Sequence, residues 1–185
     1  MRKFRTAFIL VPIFLILSLV SYLWANQITS SFYTYRSPLH ENPPAAGSPI
    51  GEPATRRVVF VIIDGLRLDT SEMVDVMPFL NQLREQGASA ASHSQAPSFS
   101  QPGYSTLLTG AWPELNDGPA FNVEYEEIPA ITQDTIFAAA KRSNLKTAVS
   151  GYYWFGRLLR PEDLDASYMD PADDRVADVN VMQAA

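Results

Sequence analysis

An α/β fold with a mainly parallel sheet, preceded by one transmembrane helix, is what this sequence predicts, and three observations predict it. Arg57-Val58-Val59-Phe60-Val61-Ile62-Ile63 is a continuous β-branched run with no polar alternation, the pattern of a strand covered on both faces. Helix-like and strand-like segments alternate after it, the order that builds a parallel sheet. Ahead of it, Arg2, Lys3 and Arg5 precede an uncharged run from Thr6 to Asn26, and about 20 apolar residues cross a hydrocarbon core.

The apolar run defines the first of three unlike pieces. Residues 1–26 read as an N-terminal membrane anchor or signal. An uncleaved anchor is preferred, because a signal peptide has an apolar region of roughly 7–15 residues and a small-residue cleavage site, and Leu23-Trp24-Ala25 is a poor one. The basic cluster places the chain after residue 26 outside the cytoplasm by the positive-inside rule. Residues 27–55 hold Pro38, Pro43, Pro44, Pro49 and Pro53 among glycines and serines. Prolines fix φ and remove ladder donors, so the stretch reads as an extended, solvated linker, with His40 solvated inside it. Residues 56–185 form the folded part.

Within the folded part, Asp64-Gly65 closes the apolar strand. Met77 to Gly87 reads as a helix, with Pro78 in its first turn and Gly87 at its end. Ala88 to Ser94 reads as a second strand and Pro97 to Ser100 as a turn. A short helix runs from Pro102 to Leu108. Ile136 to Arg142 is a helix with Thr132 ahead of it as the cap candidate and cations at its end. Lys146 to Ser150 is a third strand. The acidic stretch from Pro161 to Ala185 reads as a solvated face, with a helix beginning near Asp173.

Composition excludes several function classes. The 185 residues are 46% hydrophobic, too apolar for a disordered chain. With 14 Lys+Arg against 20 Asp+Glu, net −6, no basic face is left for phosphate contacts, and no nucleic-acid partner is expected. Cysteine is absent and histidine occurs twice, as His40 and His93. There is thus no thiolate chemistry, and a site rich in His ligands has too few here.

Two residues stand where chemistry is placed. Ligands gather beyond the carboxyl ends of parallel strands, and Asp64 sits there, straight after an apolar strand. Its carboxylate is expected to be partly desolvated and accompanied by a cation or by donors; it reads equally as a metal ligand and as a turn residue. Ser100 falls at or just before a helix N-terminus, where free N–H groups favour an anion. It reads as a helix cap or as a nucleophile facing a phosphate, and a serine nucleophile needs a base or a metal.

Val61-Ile62-Ile63-Asp64-Gly65-Leu66-Arg67, Met77-Pro78-Phe79-Leu80, Pro97-Ser98-Phe99-Ser100-Gln101-Pro102-Gly103 and Leu108-Thr109-Gly110 together resemble the alkaline phosphatase-like superfamily. The likeness is nearest to type I phosphodiesterase/nucleotide pyrophosphatases and their ethanolamine-phosphate transferase relatives. It implies a three-layer sandwich, of which this chain would hold an incomplete core. It also implies a site with two divalent metal ions, usually zinc, acting on phosphate mono- or diesters. Asp64 matches a metal-ligating aspartate. Ser100 matches the nucleophile, which also contacts a metal. Asn122, after the Asn116-Asp117-Gly118 turn, matches loosely the asparagine that holds a phosphate oxygen.

The family's other ligands come from later sequence and are expected to be missing from this chain. It therefore reads as the N-terminal part of a membrane-anchored, extracytoplasmic hydrolase, truncated and inactive alone. The substrate is a small phosphate ester or a lipid headgroup. A sulfatase is disfavoured, because Tyr104 stands where that pattern has arginine. The alternative function is a catalytically silent, membrane-tethered binding domain of the same fold.

Overall fold

The computed structural model describes residues 2–48, 50–52, 54–96 and 98–185, without the side chains of residues 2–7 and of Asp174. Pro49 and Pro53 of the expected linker and Pro97 of the expected turn lie outside the described residues. The first element, α1 (Arg2–Tyr33), is one helix through Pro12. Its stretch from Phe8 to Tyr33 is long and apolar enough to cross a membrane, so it runs seven residues beyond the end at Asn26 that the sequence pattern marks.

The chain leaving α1 does not all stand in solvent, as the linker reading expected. Ser37 is buried, and its N–H donates to Asp117 Oδ1 over 3.1 Å. Arg36 grips the same carboxylate with Nε, 2.8 Å from Oδ1, and with Nη2 on Oδ2. His40, read as solvated, has Nδ1 2.8 Å from Asp117 Oδ2. Thr132 adds its hydroxyl at 3.0 Å. Local proline content says nothing about a partner lying about 80 residues away, and that distant carboxylate decides the outcome.

Two short helices come after the apolar run, α2 (Leu68–Ser71) and α3 (Pro78–Gln86). Pro78 occupies the first turn of α3, where its missing N–H costs nothing. Asn81 and Arg84 of α3 reach back to Ser71. Phe79 and Leu83 of this helix are exposed. Next come α4 (Ser100–Thr109) and α5 (Pro113–Asn116). Gly110 ends α4 in the left-handed conformation, φ 71°, and returns its N–H to Thr106 O.

Helix α6 (Ile136–Arg142) has the predicted bounds, but its cap is Thr135, whose Oγ1 accepts from Ala138 N, and not Thr132, which donates to Asp117. The sheet pairs β1 (Ala148–Tyr152) in parallel with β2 (Ala166–Asp170), Ala148 opposite Ala166 and Tyr152 opposite Asp170. Two 3₁₀ turns, Tyr153–Leu158 and Pro161–Asp163, make the crossover. Helix α7 (Asp174–Ala184) closes the described chain, capped by Asp173. The core is Leu108 of α4, Ile128, Ile131, Phe155, Leu158 and Leu159; its effect is to fix α4 against the crossover.

The mixed helices and small parallel sheet carry the α/β expectation in part, and the three-layer sandwich does not form among the described residues. Arg57 to Ile63 has no regular secondary structure and joins no ladder, and Val58, Val59, Phe60, Val61 and Ile63 are exposed. Ala88 to Ser94 likewise stays outside the sheet. Strand propensity measures fit to a pleated, covered surface, and neither run meets such a surface. Lys146 to Ser150 is a strand displaced by two residues, as β1. Its partner β2 lies within the acidic tail.

That tail is not a solvated face throughout. Asp165 accepts from Lys141, Lys146 and Thr147 N–H, and Lys141 foremost holds its carboxyl well below the usual range. Asp170 is buried and accepts from Tyr168 Oη and Ala172 N.

Burial alone would raise the Asp117 carboxyl, but Arg36, His40, Ser37 N–H and Thr132 together bring it down to about 2. A carboxyl lower in the folded than in the unfolded state contributes stability that is complete above the unfolded value, about 3.9. The contribution is lost as pH falls through the folded value. The stability difference between the wild type and Asp117→Asn should be constant at neutral pH. It should shrink between about pH 4 and pH 2, as read by chemical denaturation in a pH series.

Candidate functional site at the start of helix α4

Residues far apart in sequence meet at the N-terminus of α4. Ser100 is the first helical residue, and Phe99 is the N-cap position without a side-chain cap bond. Ser100 therefore does not spend its hydroxyl on capping. Its Oγ donates to Asp64 Oδ2 over 2.7 Å, across 36 residues of chain. Gly65, with φ 68°, makes the turn that aims the carboxylate back toward the helix. Asp64 is exposed, which corrects the expectation of a desolvated group: the strand that was to bury it is itself uncovered.

Asn122 arrives at the same place from a different segment. Its Oδ1 accepts from Gln101 N–H over 3.0 Å and so caps α4 from a distance. With the oxygen engaged, the capacity left on that amide is its Nδ2 donor, which suits an anion. Gln101 secures the arrangement. Its side chain pairs with Val123 in both directions, Nε2 to O at 2.9 Å and N to Oε1 at 3.0 Å, and it is buried. Sequence reasoning missed this residue. A glutamine inside a Ser-x-Pro-Gly turn carries no pattern that distinguishes a buried brace from a surface polar group.

Tyr104 lies one turn on and stacks on Trp154, with centroids 5.3 Å apart and Phe155 edge-on at 5.6 Å. Burial, then the charge of Asp64 and a hydrogen bond to it, then Asp178, push its phenol well above the ordinary range. Tyr104 is therefore a neutral donor beside Asp64. Phe155 belongs to the core, and Trp154 packs against it. His93 is exposed on the segment before α4.

A zinc centre takes three or four protein ligands. Asp64 and Ser100 offer two oxygens, and among the described residues no group of three or more His, Asp or Glu could hold a metal ion. The donor set described here therefore does not fit the two-metal site that the resemblance implies. What the arrangement does supply is an oriented hydroxyl, a carboxylate that holds its proton, and a helix N-terminus with an amide donor beside it.

Known proteins match the segment that carries Asp64 and Ser100. Residues 58–117 match the type I phosphodiesterase / nucleotide pyrophosphatase family, so the likeness read from the motifs is shown over that span, which includes Asp64 and Ser100. The chain is 31% identical over 104 residues to GPI ethanolamine phosphate transferase 1 of Mus musculus. The alignment covers 53% of this chain and 11% of that protein, so the chain spans about a tenth of its relative's length. No solved structure matches.

Because Asn122 supplies a cap from outside the helix, Asn122→Ala should loosen the first turn of α4. A loss of about 1 kcal/mol is expected in chemical denaturation, with faster amide exchange at Gln101 than at Thr106.

Proposed function

We propose that this chain carries the nucleophile side of a phosphoester hydrolase or transferase, with Ser100 attacking phosphorus. The observation that supports it is the 2.7 Å hydrogen bond from Ser100 Oγ to Asp64, inside the segment that matches the phosphodiesterase family. Asp64 accepts the hydrogen bond that orients the hydroxyl, and the serine's proton passes on to the leaving oxygen. The N-terminus of α4 and the Asn122 amide stabilise the negative oxygens of the substrate. In the step itself the Ser100 Oγ–P bond forms, the P–O bond to the leaving group breaks, and the leaving oxygen takes up a proton. Water or a second alcohol then accepts the phosphoryl group and frees the serine.

A carboxylate is a weak base for a serine hydroxyl, since the two differ by many pKa units. Divalent metal ions, zinc foremost, are the cofactor that the family likeness implies, with Asp64 and Ser100 as this chain's contribution. The apolar stretch of α1 supports its reading as a membrane anchor, and Arg2, Lys3 and Arg5 ahead of it favour an extracytoplasmic folded part. The substrate class is a phosphate ester, either a small molecule or a lipid headgroup.

The two-oxygen donor set also favours a second reading, a catalytically silent binding domain in which Asp64 and Ser100 merely tie the Asp-Gly turn to α4. One experiment separates them. The chain is incubated with p-nitrophenyl phosphodiesters and zinc, acid-quenched and searched by mass spectrometry for phosphorylated Ser100. Turnover or a trapped phosphoserine, lowered by on the order of 10³ or more in Ser100→Ala, supports the nucleophile. Turnover unchanged in Ser100→Ala overturns that assignment. Absence of both product and adduct is expected of either reading, because the described residues offer only two ligand oxygens, and supports neither.

A further inference from the structure

We propose that the folded part is seated on the bilayer that α1 crosses, through an apolar collar formed by Phe32, Tyr33, Phe99, Trp112 and Leu115. The inference rests on the reading of α1 as a membrane anchor.

The collar arises where α1 ends. Its apolar stretch, Phe8 to Tyr33, has 26 residues, about 39 Å at 1.5 Å per residue. A hydrocarbon core is about 30 Å thick, so the last turns of α1 stand in the headgroup layer. There Phe32 and Tyr33 pack on Phe121, with ring centroids at 5.2 and 5.7 Å, and Phe99 packs on the same ring at 5.2 Å. Beyond α1 the chain is held at once. Tyr35 Oη donates to Glu114 O and Ser37 Oγ to Leu115 O, each over 2.9 Å, and the Asp117 clamp engages Arg36 between them. The folded part is thus docked within a few residues of the helix end, with α5 beside it.

The five collar side chains are 45–54% exposed although they flank these contacts. Aromatic residues at this depth match the interfacial belt of membrane proteins; Phe32, Tyr33 and Phe99 meet on Phe121 at the end of the spanning helix, and α5 is tied by its backbone to the chain that leaves it. The occupant is therefore the headgroup region itself. Attraction is apolar rather than electrostatic, because the chain is net −6. Ser100, one residue from Phe99, is kept beside the headgroup layer.

The chain has no cysteine, so single-cysteine variants can be labelled cleanly. Glu114→Cys, within the collar, and Ser18→Cys, within α1, each carry an environment-sensitive fluorophore. The full chain is reconstituted in phosphatidylcholine vesicles with lipid-borne or aqueous quenchers. Lipid-borne quenching of the label at 114, persisting at high salt and lowered several-fold by Trp112→Ser with Leu115→Ser, is the expected result. If the label at 18 is quenched from the lipid while that at 114 answers to aqueous iodide or to neither quencher, the seating is overturned and the anchor stands. If the label at 18 is not quenched from the lipid, the anchor reading fails and the seating with it.

Discussion

A buried carboxylate joins the two ends of this molecule. Asp117 sits in the left-handed region at φ 60°, an uncommon conformation that aspartate tolerates better than most residues. It turns its side chain inward, where Arg36, Ser37 and His40 from the end of the N-terminal helix meet Thr132 from the folded part. A fully buried carboxylate is costly unless its lone pairs are filled, and here each oxygen has at least two partners. The neighbours repeat the theme. Asn116 donates to Ser105 Oγ and accepts from Gly118 N–H. At Gly118 a Cβ would lie 2.5 Å from Ser105, so a side chain there has no room beside α4. The clamp, the turn and α4 therefore constrain one another.

The candidate site inherits its order from that constraint. Helix α4 is held at one end by Leu108 in the core and at the other by Gln101 and Asn122. Ser100 can then present its hydroxyl without also serving as a cap. Asp64 is different, because it reaches the site from an exposed, unpaired segment. Its position depends on the Gly65 turn and the hydrogen bond to Ser100. The nucleophile candidate thus stands on a fixed element and its carboxylate partner on a less supported one.

Much of the site was legible in the residues. Asp-Gly after an apolar run and Ser-x-Pro-Gly before a helix are local patterns, and local backbone geometry is what they encode. Pro78, Gly110 and Asp173 mark helix ends for the same reason. The acidic tail was misread because composition reports charge and not partners: Asp165 is filled by Lys141 and Thr147, and Asp170 by Tyr168. The apolar strand at 57–63 was misread because its hydrophobicity describes a covered surface that the described residues do not provide.

The residues alone marked the apolar span at the N-terminus, several helix starts, and Asp64 and Ser100 as separate candidates, since each rests on short-range backbone preference or side-chain type. Tertiary structure alone decided that His40 and Arg36 belong to a clamp, that Gln101 braces the site, that the sheet is built by 148–152 and 166–170, and that Ser100 binds a carboxylate instead of capping its helix. Those outcomes depend on which distant group fills a buried hydrogen-bonding site, and no local pattern carries that information.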